Sequence, residues 1–342
     1  IDRMAKLTKE DIVAFADKYL KEDNYAVVYK KQGKDPNEKK MTKPEITPIV
    51  SNRDVASPFL TSIQENAVKP IEPVFLDFKK DMSQLTAKSD IPVLYKQNTT
   101  NDLFQLIYVF DMGNNNDKAL GTAFDYLEYL GTSDMTPEEL KSEFYRLACT
   151  FYVSPGNERT YVVLSGLNEN MPAAMQLFEK LLADAQVNKE AYNNLVGDIL
   201  KARADAKLNQ GQNFSRLMNY AMYGPKSPAT NLLTEAELAS MNPQELVDRI
   251  HNQNNYKHRI LYYGPSSSKD LLATIEQYHQ VPATLKDIPA GNEYSYLETP
   301  ATKVLVAPYE AKQIYMAQIS NLDKKYDPAI EPTRELYNEY FG

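Results

Sequence analysis

The sequence predicts an α+β protein made of repeated units, in each of which helices pack on a mainly antiparallel sheet. Three observations point there. Strand-like and helix-like segments come in bunches instead of alternating strictly, which disfavours a doubly wound parallel sheet. A displacement of 211 residues lays one stretch of the chain on another without a gap. Glycine is scarce, 12 in 342, and no two glycines stand at G-x-G spacing, so the phosphate-cradling loops of dinucleotide-binding and kinase-type folds are excluded.

The opening reads as a helix followed by a strand. Thr8 with Asp11 three positions on makes a capping box, Ile12, Val13, Phe15, Ala16, Tyr19 and Leu20 form one apolar stripe, and Tyr25 to Tyr29 is a β-rich run. Residues 1–50 are expected to end a preceding unit, because this piece is too small to bury its own stripe. Lys30, Lys31, Lys34, Lys39, Lys40 and Lys43 then stand among Pro36, Pro44 and Pro48, with Pro58, Pro70 and Pro73 beyond. That composition predicts a linker over 51–90 that wraps a surface, with one helix near Ser57 to Asn66. The lysines read as a solvated, self-repelling tether in preference to a basic binding site.

A complete unit is expected over 91–285. Pro92 to Lys96 and Leu103 to Asp111 are β-rich runs joined by Asn98, Thr99, Thr100 and Asn101, which predicts a hairpin with a long loop. Helices follow at about 117–131 and 136–148, the second opened by Thr136, Pro137 and Glu139. Strands at about 149–154 and 159–167 turn at Pro155 and Gly156. Helical patterns occupy about 172–186, 189–210 and 212–223, and two more start at Thr234 and at Asn242-Pro243. The strand Arg259 to Tyr263 and a helix from Ser267 to Tyr278 complete the series.

The repeat places Val93-Leu94 on Val304-Leu305 and Leu103-Phe104 on Ile314-Tyr315. On the following helix it places Thr122, Tyr126, Glu128, Tyr129 and Gly131 on Thr333, Tyr337, Glu339, Tyr340 and Gly342. A second echo sets Asp23-Asn24-Tyr25 against Asn254-Asn255-Tyr256, each before a β-rich run. Residues 286–342 are accordingly expected to start a following unit, in a chain cut from a longer protein.

Composition narrows the chemistry. Thirty-eight basic against 46 acidic residues give a net charge of −8, and a pI near 5.2 argues against nucleic acid or an anionic membrane surface as partner. Cys149 is the single cysteine, so neither an internal disulfide nor a Cys-based zinc cluster can form. His251, His258 and His279 are the only histidines, and none stands one helical turn from another. Apolar runs such as Leu106 to Phe110 are strand-sized, well short of the ~18 residues of a membrane span.

The order of strands and helices, with "FDYLEYLGT" (Phe124 to Thr132), "MTPEEL" (Met135 to Leu140), "RTYVVLSGL" (Arg159 to Leu167) and a long helix pair, resembles the inverted-zincin peptidases of the pitrilysin, insulinase and mitochondrial processing peptidase group. Its nearest form is the non-catalytic half of a two-halved bacterial zinc peptidase. The resemblance implies α/β units of the processing-peptidase type closing around a chamber, and a soluble bacterial protein of periplasm or cytoplasm. The family's H-x-x-E-H motif, two zinc-binding histidines around a general-base Glu, lands on Asp125, Tyr126, Leu127, Glu128 and Tyr129. The later acidic ligand lands on or near Asp198. Only Glu128 survives in kind, so the resemblance implies no metal and no catalytic residue in this chain, with zinc held by an upstream catalytic unit. Asp125, Glu128 and Tyr129 can also be read as the polar face of an amphipathic helix, with a residual cation site as the rival.

The expected function is the non-catalytic portion of a zinc metalloendopeptidase that forms part of a peptide chamber. Its expected partners are a peptide or unfolded polypeptide and the upstream half. A structural or assembly protein that keeps the fold without proteolysis is the alternative. Cys149 reads as a small core residue, and Leu200 to Leu208 as a solvated helix face with a chamber-lining role as the rival.

Overall fold

The structure is a computed structural model and describes residues 4–23, 25–30, 33, 42–47, 55–321 and 326–341. Asn24, Lys31, Lys34, Lys39, Lys40, Pro36, Pro48 and Gly342 lie outside the described residues. By contacts the chain divides into a unit ending at Pro73 and a unit beginning at Val74.

The first unit carries α1 (Lys9–Tyr19) and α2 (Pro58–Gln64). The Thr8 hydroxyl accepts from the Asp11 N–H, and the Asp11 carboxylate accepts from the Thr8 N–H at 2.9 Å, closing the box expected from the sequence. The strand expected at Tyr25 to Tyr29 does not form: residues 25–30 have no regular structure, and Val28 is 90% exposed. A strand needs a partner edge for its N–H and C=O groups, and no described residue supplies one.

The second unit is a six-stranded sheet covered by helices. Its elements are β1 (Ser83–Ala87), β2 (Ile91–Gln97), β3 (Leu103–Phe110), α3 (Leu120–Leu127), α4 (Pro137–Arg146), β4 (Cys149–Pro155), β5 (Thr160–Leu167), α5 (Met171–Asp184), α6 (Lys189–Ala206), α7 (Gln210–Tyr223), α8 (Glu235–Ser240), α9 (Gln244–Asn252), β6 (Arg259–Gly264), α10 (Ser268–Tyr278) and α11 (Glu331–Phe341). The strand order is β1-β2-β6-β3-β5-β4, antiparallel at every step except β2 beside β6. Alternation decides which face is buried. Ile91, Val93 and Tyr95 of β2, Phe104, Leu106 and Tyr108 of β3, and Ile260 and Tyr262 of β6 all point into one core with Phe124, Leu127, Met175, Phe178, Val247 and Ile275 from the helices. Gly166 is fixed by this packing. Its φ is +154° opposite Cys149, and a Cβ there would stand 2.4 Å from the Ala148 carbonyl oxygen.

Several expectations are corrected. The segments 92–96 and 103–111 are strands but not a hairpin, because β6 inserts between them, parallel to β2 and antiparallel to β3. A strand about 150 residues away therefore takes the hydrogen bonds that a local turn was expected to bring together. The expected linker over 51–90 contains β1, the edge strand of the sheet. Its short and polar sequence, Ser83-Gln84-Leu85-Thr86-Ala87, hides it from a hydrophobic pattern. The expected helix at 117–131 is confined to Leu120–Leu127. In the repeat, α11 begins at Glu331, 211 residues after the start of α3, so the helix recurs. The strands do not: residues 302–321 form none, and Val304 and Ile314 are 81% and 93% exposed. The repeated helices differ in burial too, since Tyr126 is enclosed and Tyr337 exposed.

Candidate functional site

The motif-bearing helix α3 presents two faces. Ala123, Phe124, Tyr126 and Leu127 are buried and Asp125 between them is exposed, as a 3.6-residue period requires; Glu128 and Tyr129, also exposed, lie in the turn that follows the helix. Tyr126, inside the motif, is structural: its hydroxyl donates to the Asn188 carbonyl at 2.6 Å and accepts from the Asn188 N–H at 2.9 Å. Asn188 is the N-cap of α6, accepting from the Ala191 N–H. Tyr126 also meets Tyr192 edge to face at 5.8 Å, so α3 is pinned to the start of α6. Partial desolvation, and then the charge of Glu128, hold the Asp125 carboxyl above its ordinary pKa. Asp198 is an exposed residue of α6.

These residues do not fit a catalytic zinc. Tyr129 puts a phenol where a neutral imidazole is needed, and the remaining donors are hard carboxylates. Among the described residues no group of three or more His, Cys, Asp or Glu side chains is placed to hold a metal. An open cleft of about 500 Å³ lies past the end of α3, lined by residues 131–137 and 186–189 among others, and none of Asp125, Glu128, Tyr129 or Asp198 lines it.

A second polar constellation lies inside the core, and it brings together histidines that local spacing had separated. Glu179 of α5 is 1% exposed. Its Oε1 accepts from Tyr108 Oη at 2.9 Å and stands 2.6 Å from His279 Nδ1; its Oε2 accepts from Asn254 Nδ2 at 2.9 Å and from the Gln280 N–H at 3.1 Å. His279 Nε2 in turn lies 2.9 Å from His258 Nε2, and His258 Nδ1 donates to the Tyr256 carbonyl at 2.7 Å. Each of the three contacts along Tyr256–His258–His279–Glu179 needs one proton, and the Tyr256 carbonyl can only accept. His258 therefore holds a proton on Nδ1. Burial first, then the neighbouring His279, depress the His258 pKa from 6.5 to about 4, which keeps the ring neutral, so its Nε2 accepts from His279 Nε2.

The network ties α5, β3, the start of β6 and the end of α10 together. The sequence signal for it was Glu179 itself, a lone carboxylate on the stripe of Met175, Phe178 and Leu182, since a charge placed on a buried helix face requires partners. A cleft of about 410 Å³ reaches Glu179 from outside, past His251, Asn254 and Gln280. Cys149 is a buried strand residue with its thiol pushed up by burial, and no imidazole is bonded to it.

No family model matches the sequence, and no curated protein is significantly similar to it. Solved structures do share its architecture. The periplasmic protease PqqL from Escherichia coli matches with a TM-score of 0.57 at 15% identity, over 87% of this chain and 31% of that one. The ferredoxin protease FusC, a mutant solved with Arabidopsis ferredoxin, matches at 0.55 and 12% identity over 85% and 30%. An inactive domain of peptidase M16 from Pseudomonas fluorescens matches at 0.53 and 16% identity over 62% and 54%. The chain thus spans about a third of the length of the first two and about half of the third. At these identities the likeness is one of fold: helices on a largely antiparallel six-stranded sheet, arranged as in M16 peptidase domains. Among the described residues no helix is long and apolar enough to cross a membrane.

Proposed function

We propose that this chain is the non-catalytic portion of a zinc metalloendopeptidase and forms part of the wall of an enclosed peptide chamber. One observation carries the reading: an M16-type fold, shared with a domain described as inactive, whose motif helix offers Asp125, Glu128 and Tyr129 where the chemistry needs two imidazoles around a general base. In this reading residues 91–285, with β1 as the edge strand of their sheet, are one complete non-catalytic unit, 1–50 end the unit before it, the segment from residue 51 to β1 is the link, and 286–342 start the unit after it. Zinc, both histidine ligands and the general base belong to an upstream catalytic half. The substrate is a peptide or an unfolded polypeptide.

The chain's own contribution is positional. A wall that restricts where a bound peptide can lie raises the effective concentration of its scissile bond at a catalytic centre held elsewhere, and without that centre nothing attacks the bond. The test mixes this chain with the upstream half of its reading frame and follows cleavage of a quenched fluorescent peptide. Cleavage is expected in the mixture and is abolished by replacing the upstream Glu between the histidines with Gln. Chelator-sensitive cleavage by the purified 342-residue chain alone, lost on Glu128→Gln, would show that the site has been misread.

A further inference from the structure

Helix α7 is held from outside by a later, extended segment of the same chain. No residue of α7 is fully buried, although Phe214, Leu217, Met218, Met222 and Tyr223 give it an apolar surface; each of these is half-buried. Residues 294–315 reach both ends of the helix. At its end the Leu297 N–H donates to the Met222 carbonyl at 2.7 Å, Tyr296 lies 4.8 Å from Tyr223 between ring centres, and Tyr294 stands edge-on to Tyr223 at 6.5 Å. At its start Gln210 Nε2 donates to the Gln313 carbonyl at 2.7 Å, Tyr315 meets Phe214 edge to face at 5.6 Å, and the Tyr309 hydroxyl donates to the Leu208 carbonyl.

These groups read an extended backbone more than a sequence. Met222 carries one of the last four carbonyls of the helix, which find no partner within it, and it accepts a main-chain N–H; Gln210 gives its amide to a main-chain carbonyl. The ring pairs with Phe214 and Tyr223 add a preference for aromatic side chains. The segment also sits loosely. Tyr296, Tyr309 and Tyr315 are exposed. Sixteen residues separate Leu297 from Gln313, enough to extend over about 50 Å, yet Gln210 and Met222 stand only about 18 Å apart along the helix. The repeat matches Val304 and Ile314 to the strand residues Val93 and Leu103, so this is strand-forming sequence without a partner edge among the described residues.

We propose that residues 294–315 are a displaceable strap, and that α7 beneath it is the surface on which an extended polypeptide with aromatic side chains competes with the strap. The Met222 carbonyl, the Gln210 amide and the rings of Phe214 and Tyr223 serve either occupant in the same way. The proposal rests on the peptide-handling reading above; it names where this unit takes an unfolded polypeptide and what restrains it. A closed strap lowers the apparent affinity by the fraction of molecules in which it is open. Loosening the strap therefore tightens binding, the reverse of what loss of a contact ordinarily does.

The experiment follows the fluorescence anisotropy of fluorescein-labelled Pro-Tyr-Glu-Ala-Lys-Gln-Ile-Tyr-Met-Ala, the sequence of residues 308–317, as the intact chain is added, with the same peptide bearing Ser for both Tyr as control. Tyr309→Ser combined with Tyr315→Ser in the chain is expected to bind the Tyr peptide about 10-fold more tightly than the parent does, and to bind the Ser peptide more weakly than the Tyr peptide. Joining Gln210→Cys to Gln313→Cys with a short bismaleimide, Cys149 being buried, is expected to abolish the binding seen in the same protein left unjoined. An unchanged or raised melting temperature of the joined protein separates a closed strap from a lost fold. The proposal is overturned if the loosened variant binds the Tyr peptide no more tightly than the parent, or if the joined protein binds it as tightly as the unjoined one. Binding of an unfolded polypeptide that is indifferent to these strap variants sinks the strap and leaves the peptidase reading intact; failure of that reading shows instead as absence of cleavage in the mixture with the upstream half.

Discussion

Acidification should weaken this fold through one imidazole before most carboxylates respond. His258 is enclosed by Phe110, Tyr108 and His279, and its pKa falls from 6.5 to about 4. Its folded pKa lies below its unfolded value, so between pH 6.5 and 4 the unfolded chain binds a proton that the folded chain refuses. Stability therefore rises with pH across that window, is complete above about 6.5, and is lost as pH falls toward 4. The gap between the two values, at about 1.4 kcal/mol per pH unit, amounts to roughly 3 kcal/mol, of which about 2 kcal/mol is gone by pH 5. The structural meaning is a proton forced onto His258 Nε2, the atom that accepts from His279 Nε2 at 2.9 Å, which breaks that contact. Urea unfolding followed by near-ultraviolet circular dichroism at pH 7.5, 6 and 5, on the parent and on His258→Gln, isolates the effect, because every other titrating group is common to both. The variant starts less stable and should lose about 2 kcal/mol less between pH 7.5 and 5. Parallel losses in the two proteins would refute the assignment of His258 as the neutral, proton-excluding member of the network.

Within the same network the two ends differ in weight. Glu179→Ala leaves the buried Tyr108, Asn254 and His279 groups without their shared partner and should cost about 3–5 kcal/mol, whereas Tyr108→Phe removes one of several donors to Glu179 and should cost about 1 kcal/mol; equal losses in thermal denaturation would contradict the network as drawn. Gly166→Ala drives a Cβ to within 2.4 Å of a backbone oxygen at a φ of +154° and should destabilise by about 3 kcal/mol. Gly197→Ala in α6, where no atom lies within 4 Å of the added Cβ, should stabilise by about 0.5–1 kcal/mol. Equilibrium dialysis against zinc followed by elemental analysis should find well under one tightly held ion per chain, and any that binds should be indifferent to Asp125→Asn and Asp198→Asn.

Much of the local structure could be read directly. Thr136, Pro137 and Glu139 announced α4 with its reciprocal capping bonds, and Pro155-Gly156 marked the turn of the β4–β5 hairpin. These features depend on residues within a few positions of each other, so a linear reading reaches them. That Tyr129 offers a phenol and no imidazole was equally legible, since residue identity does not depend on the fold. Where those positions stand was a matter of placement: Asp125 is exposed on α3, and Glu128 and Tyr129 are exposed in the turn that follows it.

What sequence could determine, then, was the class of fold, the helix caps, the paired runs at about 149–154 and 159–167, and the absence of any imidazole from residues 125–129, all of which rest on residue identity and short-range spacing. Tertiary structure alone decided the strand order. Which edge a strand joins depends on the free energy of pairing with segments over a hundred residues away, and β6 outcompeted the local hairpin by entering between β2 and β3. It also decided which runs became strands: Tyr25 to Tyr29 and the segment around Val304 and Ile314 have strand-forming residues yet no partner edge among the described residues, while the polar β1 has one. And it alone assembled Glu179, His258 and His279. These residues lie 79 and 21 positions apart along the chain and share a proton count only because α5, β6 and α10 bury their ends in one core, where low polarity makes each unpaired group costly enough to enforce the network.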